Sequence, residues 1–407
     1  MDELQRFLNS LGIPFNKRDT PSFSKSPQQI PIPNCTEINN RYGTVYRIHE
    51  FIPGAKEQIV SEIPAEIIKW LKTHSNVDPL ALNDFFFVDV ETSGDYGLAG
   101  VLCFLIGIGK LDQNGIHLSQ YLILHPEDEF AQLWEVEKAF LTAKGLITYN
   151  GKSFDLPLLQ SRFQYHHIPL PLQDLIHIDL LHLSRKIYKN HPPNRALKSM
   201  EAKVLGVERK VEDIPGWMIP SIYRDFLLTQ DFSFLLPILY HNKMDVTSLV
   251  YLYDHTVKLI TELEKPSTNI EICFNIADFF VSIGNIDRAI AIYQNCWSAE
   301  MEEGQEIVCL EKLGGLYKKQ KLYDQANHYW HEAAKKGSLI AHNELIKYHL
   351  REKNLSSARF WAQKAQCIIE TKAMDRFDRM KWQAELKILL ARLDKAEENY
   401  NKKRKVK

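Results

Sequence analysis

The chain is short of everything that would tie it to a membrane, to an oxidising compartment or to a partner of one charge. Its 407 residues include only 6 cysteines. These fall at Cys35, Cys103, Cys273, Cys296, Cys309 and Cys367, with no CxxC pair. That scatter argues against a disulfide framework and a structural zinc site, and the setting is read as reducing and cytoplasmic. The longest apolar run, near Val101–Ile108, falls far below the roughly 20 residues that span a bilayer. The opening MDELQRFLNSLGI carries acids in its first turn, so it reads as a short amphipathic helix and not as a secretory signal. Charge of one sign is also lacking: 50 Lys and Arg balance 51 Asp and Glu, for a formal net charge of −1. A nucleic-acid partner would have to be met by a local basic surface.

What is present is enough chain for two hydrophobic cores. Residues 1–40, rich in Pro, Ser, Asn and Lys from Pro14 onward, cannot bury enough apolar surface to fold alone and are read as a mobile leader. From 41 to 264, strand and helix patterns interleave. GTVYRIHEFI, DFFFVDV, VLCFLIGIG and HLSQYLIL read as strands, EFAQLWEVEKAFL as a helix, and GLITYN as a strand. A helix follows over FDLPLLQSRF, then a strand over LIHIDL, then helical stretches across Leu181–Leu205 and from about Asn242 to Leu263. This is an α/β domain with a mixed sheet flanked by helices.

Across 265–400 the strand signal vanishes, and amphipathic helices alternate with GN, KL and KN turns. NIDRAIAIY, LYDQANHYW, LSSARFWA and LDKAEENY align on Ala289, Ala326, Ala358 and Ala396. Tyr293, Trp330 and Tyr400 each stand one helical turn after such an alanine. A small residue followed by an aromatic one lets neighbouring helices approach closely, as in tetratricopeptide-type helix pairs. Such an array offers a surface for a protein or peptide partner. The closing basic stretch, 401–407, is read as a disordered tail.

The chemistry sits in acids. Asp89 and Glu91 end the apolar run of FFFVDVETSG, and residues two apart on a strand share a face. Carboxylates about 4 Å apart repel by about 1 kcal/mol even in water, and more near a protein interior, so a cation is expected between them. With oxygen ligands only, that ion is Mg²⁺ or Mn²⁺. In TYNGKSFDLPLL, Asn150 stands at a strand end and Asp155 at a helix start, where α/β sites form. In YHNKMDVTSLVYL, His241 and Asp245 lie four apart on one helical face.

In this order the three segments resemble the exonuclease motifs of the DEDD superfamily, the DnaQ-like proofreading exonucleases with a ribonuclease-H-like fold. GLAGVLCFLIGIG, NGKSFDLPLL, RALKSMEAKVLG and the HNxxDV block resemble more closely the YprB-type ribonuclease-H-like proteins, over roughly Thr44–Leu263. The resemblance implies that Asp89, Glu91, Asp155 and Asp245 hold two divalent cations about 3.5–4 Å apart. It also implies that a His or Tyr near the last Asp is the general base. Three residues separate His241 from Asp245, which is the tyrosine-type spacing, while Tyr240 has the histidine-type offset. His241 is favoured because its unperturbed pKa of about 6.5 suits proton abstraction at neutral pH. The implied reaction is 3′→5′ exonuclease hydrolysis to nucleoside 5′-monophosphates, with a single-stranded 3′ end of DNA or RNA as the expected substrate. Thr92, Asn150 and Phe154 are expected to touch it. Competing readings are an endonuclease of RNA–DNA hybrids and a non-catalytic nucleic-acid- or protein-binding scaffold.

Histidines between Phe163 and His191 lack HxxxH spacing on one helix and are not read as zinc ligands. Asp179 is read as a helix cap. Basic residues outnumber acids from Lys152 to Lys210 and are interleaved with aromatic ones, a pattern that suits phosphate contact and base stacking.

Overall fold

The computed structural model describes residues 32–54, 59–71, 80–94, 100–169, 175–189, 191–209, 213–262, 269–298 and 301–405. The expected N-terminal helix and most of the expected leader lie outside them. The chain forms two compact units, Met1–Glu262 and Leu263–Lys407.

Unit 1 opens with β1 (Cys35–Asn40) and β2 (Gly43–Pro53). A short pair follows, β3 (Glu62–Ile63) and β4 (Leu80–Ala81), around α1 (Ala65–Leu71). Then come β5 (Phe85–Thr92), β6 (Cys103–Leu111), β7 (Gly115–Leu122), α2 (Glu129–Phe140), β8 (Gly145–Thr148), α3 (Asp155–Tyr165), β9 (Ile176–Asp179) and α4 (Leu180–Ile187). The short α5 (Leu197–Met200), a π turn at Glu201–Leu205, α6 (Ile219–Thr229) and the long α7 (Leu235–Thr261) complete it. The main sheet is seven-stranded, ordered β1-β2-β7-β6-β5-β8-β9. Strand β5 pairs antiparallel with β6 and parallel with β8, which pairs parallel with β9.

This mixed sheet with helices is the expected architecture, with three differences. Cys35–Asn40, assigned by composition to the leader, is a strand, because β2 offers it a partner. Leu181–Leu205 is interrupted once, between Ile187 and Leu197. The last helix begins at Leu235, ahead of the expected Asn242, because the preceding LLPIL turn is buried as well.

Strand β5 is buried on both faces, as its unbroken apolar run requires. Phe86, Val88 and Val90 join a core with Leu133, Val136 and Phe140 of α2 and with Leu159 and Phe163 of α3. Phe87 faces the other way, its ring 6.1 Å from that of Tyr253 on α7. Helix α7 can lie this close because β6 carries no side chain at two points. A methyl group added at Gly107 would stand 2.3 Å from Asn242 Oδ1, and one at Gly109 would stand 2.7 Å from Val246 Cγ1.

Unit 2 is an all-helical array: α8 (Ile270–Ser282), α9 (Ile286–Trp297), α10 (Glu303–Lys319), α11 (Tyr323–Lys335), α12 (Leu339–Arg351), α13 (Leu355–Thr371) and α14 (Arg376–Lys405). Its GN, KL and KN turns share one device. Gly284, Lys321 and Lys353 adopt positive φ, which stops one helix and redirects the chain into the next. Asn285 and Asn354 then cap the following helices through their side chains. Ala289, Ala326 and Ala358 are fully buried, as are Tyr293 and Trp330. Trp330 packs onto Gly314, where an added methyl would lie 2.3 Å from its indole nitrogen. The alignment fails at its last member: Tyr400 is exposed, and Ala396 lies within the 30-residue α14. The backbone of the basic tail is helical through Lys405.

Substituting Gly107→Ala should destabilise the protein by about 1–3 kcal/mol, the usual cost of overpacking. The neighbour it would meet, the Asn242 amide, is hydrogen-bonded and cannot yield freely. Urea unfolding followed by circular dichroism would measure it, and an unchanged midpoint would contradict the packing described.

Candidate active site

Three segments meet where β5 and β8 end. From β5, Asp89 and Glu91 project on the face that α7 covers, Asp89 opposite Gly107 and Glu91 opposite Leu105. Asn242 fixes the first of them. Wholly buried, it donates through Nδ2 to Asp89 Oδ2 at 2.8 Å and to the Asp89 main-chain oxygen at 3.2 Å. Its own oxygen accepts from Gln120 at 2.9 Å. The HN pair of the HNxxDV block therefore divides its work, with Asn242 holding the strand and His241 standing beside Asp245.

The second segment is the turn after β8. Asn150 takes a left-handed conformation, φ 64°, which asparagine tolerates better than most residues. Asp179, fully buried at the end of β9, organises this turn. It accepts from the main-chain nitrogens of Asn150 at 2.9 Å, Lys152 at 3.1 Å and Leu181 at 3.0 Å. It is thus the expected cap of α4 and also the support that presents Asp155 as the first residue of α3. His177 binds Thr148 Oγ1 at 2.8 Å, and burial together with Lys152 pushes its pKa down to about 4.

The third segment, α7, brings Asp245 and His241. Here the structure adds residues that sequence reasoning missed. Arg209 donates to Glu201 at 2.6 and 2.8 Å, to Asp245 at 2.5 Å and to Asp213. Asp213 also meets His241 Nδ1 at 2.9 Å, while His241 Nε2 faces Asp245 Oδ2 at 3.5 Å. No local signal marks Arg209 or Asp213 as partners of a helix more than 25 residues away. Tyr240, the alternative base, makes no hydrogen bond among the described residues.

The electrostatics follow from burial. Asp89 and Glu91 are pushed well above the usual carboxylate range by loss of solvent, Asp89 further by Asp245 and Asp155, and Glu91 further by Asp89 and then by Asp245 and Asp155. Asp155, partly open to solvent, is pushed up to about 7 by burial and then by Asp179 and Asp245. Asp245 is raised by burial against the pull of His241 and Arg209. Burial would also raise Asp213, but its bond and charge contact with His241, together with Arg209, hold it below the usual range. It is therefore ionised and can only accept, so His241 Nδ1 carries the proton. For His241 the desolvation that would lower its pKa is outweighed by Asp213 and Asp245, and the net direction is up.

Asp89, Glu91, Asp155 and Asp245 form an all-oxygen donor set whose charges are largely uncompensated, which suits a hard divalent cation. As the side chains lie, no three His, Cys, Asp or Glu among the described residues are gathered to hold an ion. Asp245 is turned onto Arg209 and Asp89 onto Asn242. Of the residues expected to touch substrate, Thr92 and Phe154 line a cleft beside Asp155, whereas Asn150 is used in the turn over Asp179.

Residues 86–257 match a family model described as RNase_H superfamily. A relative in Bacillus subtilis (strain 168), "Uncharacterized protein YprB", is 33% identical over 277 residues. The chain is thus similar to the YprB-type ribonuclease-H-like proteins. That match covers 67% of this chain and 66% of the relative, just under two thirds of its length. Among solved structures, the family B DNA polymerase of the hyperthermophilic archaeon Pyrobaculum calidifontis aligns over 68% of this chain and 34% of its own, at TM-score 0.37 and 13% identity. No helix among the described residues is long and apolar enough to cross a membrane.

A folded-state pKa of about 7 for Asp155, against about 3.9 unfolded, has a definite sign. Its contribution to stability is complete below about pH 4 and is lost as pH rises through 7. With chelator present, the melting temperature of wild type should fall from pH 5 to pH 8 more steeply than that of Asp155→Asn. Mn²⁺ should restore wild type at pH 8 more than at pH 5, because protons and cation compete for the same oxygens. Parallel pH profiles for the two proteins would refute the assignment.

Proposed function

We propose that this chain is a metal-dependent 3′→5′ exonuclease that releases nucleoside 5′-monophosphates from single-stranded 3′ ends. The observation that carries this reading is the convergence of Asp89, Glu91, Asp155 and Asp245, from three separate segments, on one end of the sheet. Membership of the ribonuclease-H-like superfamily points to nuclease chemistry on a nucleic-acid substrate. The four acids are the proposed ligands of two Mg²⁺ or Mn²⁺ ions. When bound, such ions supply an acidified water and Lewis-acid stabilisation of developing phosphoryl charge.

The chain's own residues then divide the work. Asn242 holds Asp89 in place from the helix, and Asp179 holds the turn that carries Asp155. Asp213 keeps the proton of His241 on Nδ1, leaving Nε2 to take a proton from water beside Asp245. Arg209 pairs with Asp245, so a cation held by that carboxylate would take the guanidinium's place on it.

The same Arg209–Asp245 pair favours one competing reading. In it, the domain keeps this shape as a non-catalytic scaffold while the helical array binds a peptide or protein.

End-labelled single-stranded DNA, single-stranded RNA, duplex DNA and RNA–DNA hybrid, digested with Mg²⁺ or Mn²⁺, separate the readings. Wild type should release mononucleotides from the 3′ end, and Asp89→Ala should release none. His241→Ala should lower kcat by about 10²–10⁴-fold while Tyr240→Phe stays near wild type. Internal fragments from the hybrid alone would favour an endonuclease, and no turnover of any strand with either ion would favour the scaffold.

A further inference from the structure

The cations gathered between Lys152 and Lys210 have no part in the cluster of acids. From Leu180 to Val207 the chain carries Arg185, Lys186, Lys189, Arg195, Lys198 and Lys203, and its one acid is Glu201. Glu201 is buried and bound to Arg209, so it neutralises none of them. None of the six forms an ion pair among the described residues, whereas Lys138, Lys144, Lys243 and Lys258, elsewhere in the same unit, each do. In a chain of net charge −1 this is a strong local segregation.

Helix α4 shows why these charges stay in water. Leu180, Leu181, Leu183, Ser184 and Ile187 are buried, which leaves Arg185, Lys186 and, just past the helix end, Lys189 on its outer side. Arg195 folds back onto this end: it donates to the Tyr188 main-chain oxygen at 3.2 Å, and its Nε meets no acceptor among the described residues. The Arg195 main-chain oxygen accepts from Tyr149 at 2.5 Å, which ties this loop to the end of β8. The aromatic residues interleaved with the cations are not available for stacking, since Phe163 and Tyr188 are buried. The surface therefore offers charge without base contacts. It also leads to the acids at both ends. Helix α4 starts at Asp179, whose carboxylate holds the turn that carries Asp155, and Lys152 of that turn is exposed. Lys152 and His182 both add to the burial that lowers His177, so they lie near one another. At the other end, Lys198 is close enough to Asp213 to join His241 and Arg209 in holding its carboxyl down against burial.

We infer that the α4–α5 surface carries the phosphates of the nucleic-acid strand behind the end being cut. A phosphodiester backbone is the complementary ligand, because it repeats one negative charge per nucleotide whatever the base. This rests on the exonuclease reading for what the strand is doing there. It adds that the substrate is a strand long enough to lie along α4, held by its backbone and with no preference for sequence.

The test measures binding by the full chain in chelator, where hydrolysis is absent, from the fluorescence anisotropy of a labelled trinucleotide and of a labelled single strand several times longer, across a salt series. Wild type should bind the longer strand more tightly and with a steeper salt dependence. The triple variant Arg185→Gln, Lys186→Gln, Lys189→Gln should flatten the slope of log Kd against log salt by about 2, the share of roughly three phosphates on a single strand. It should also lose most of the advantage of length. The control Lys138→Gln, Lys144→Gln, Lys258→Gln changes net charge equally and should keep the wild-type slope. A longer strand that is abasic at every position but its last should bind wild type as tightly as the ordinary one. A slope unchanged in the α4 variant, an equal flattening in the control, no advantage of length in wild type or weaker binding of the abasic strand overturns the inference. Digestion with Mn²⁺ is scored separately. Should no strand be cut while the slopes behave as expected, the exonuclease reading fails and the surface stands.

Discussion

The site depends on one close approach, that of α7 to the bare strand at Gly107. A side chain there would drive Asn242 off the sheet, and with it the amide that holds Asp89 by both its carboxylate and its main chain. Because Asn242 is also gripped by Gln120 from β7, the contact spans three strands and fixes the helix in rotation as well as in distance. Asp245 and His241 inherit their positions from that pin. Nothing else among the described contacts joins the motif on β5 to the motif on α7 so directly.

So many buried acids in one place cost stability. Buried charges are tolerated when paired, and replacing them by apolar residues of similar volume is often neutral or stabilising. Here Asp89, Glu91, Asp155, Asp245, Glu201 and Asp213 stand around Arg209 and His241, so pairing is incomplete. Structure alone has no use for that excess of acid. A function that needs a strong local demand for positive charge does, and it agrees with the upward direction in which burial and mutual repulsion push Asp89, Glu91 and Asp155.

Much of this was legible in the residues. The apolar run before Asp89 forced a central strand, and the order of DxE, NGKSFD and HNxxD marked the three segments that the fold brings together. What stayed hidden has physical reasons. Cys35–Asn40 carries no hydrophobic alternation and becomes a strand only because β2 is there to pair with. Arg209 and Asp213 lie on poorly patterned chain, and their roles come entirely from tertiary contact. The glycines of LIGIG were visible, but their purpose, to admit a helix, requires knowing which helix. Ala396 and Tyr400 mimicked the repeat inside one long helix, where a small–aromatic spacing has no partner to serve.

Helix phase bears on the choice between His241 and Tyr240, which was open in the sequence, and it favours His241. At 3.6 residues per turn, positions four apart differ by about 40° around the axis and positions five apart by about 140°. Asn242 must point at Gly107, which leaves Asp245 on one flank of that contact with His241 above it. Tyr240, five before Asp245, is turned to a different side: it feels the charges of Arg209, Asp213 and Glu201 but has no hydrogen-bond partner among the described residues. The spacing between a helix-borne base and the last acid is therefore a statement about which way each faces once the helix is pinned. On a helix pinned at Asn242, a three-residue gap puts an imidazole beside the acid, and a four-residue gap does not.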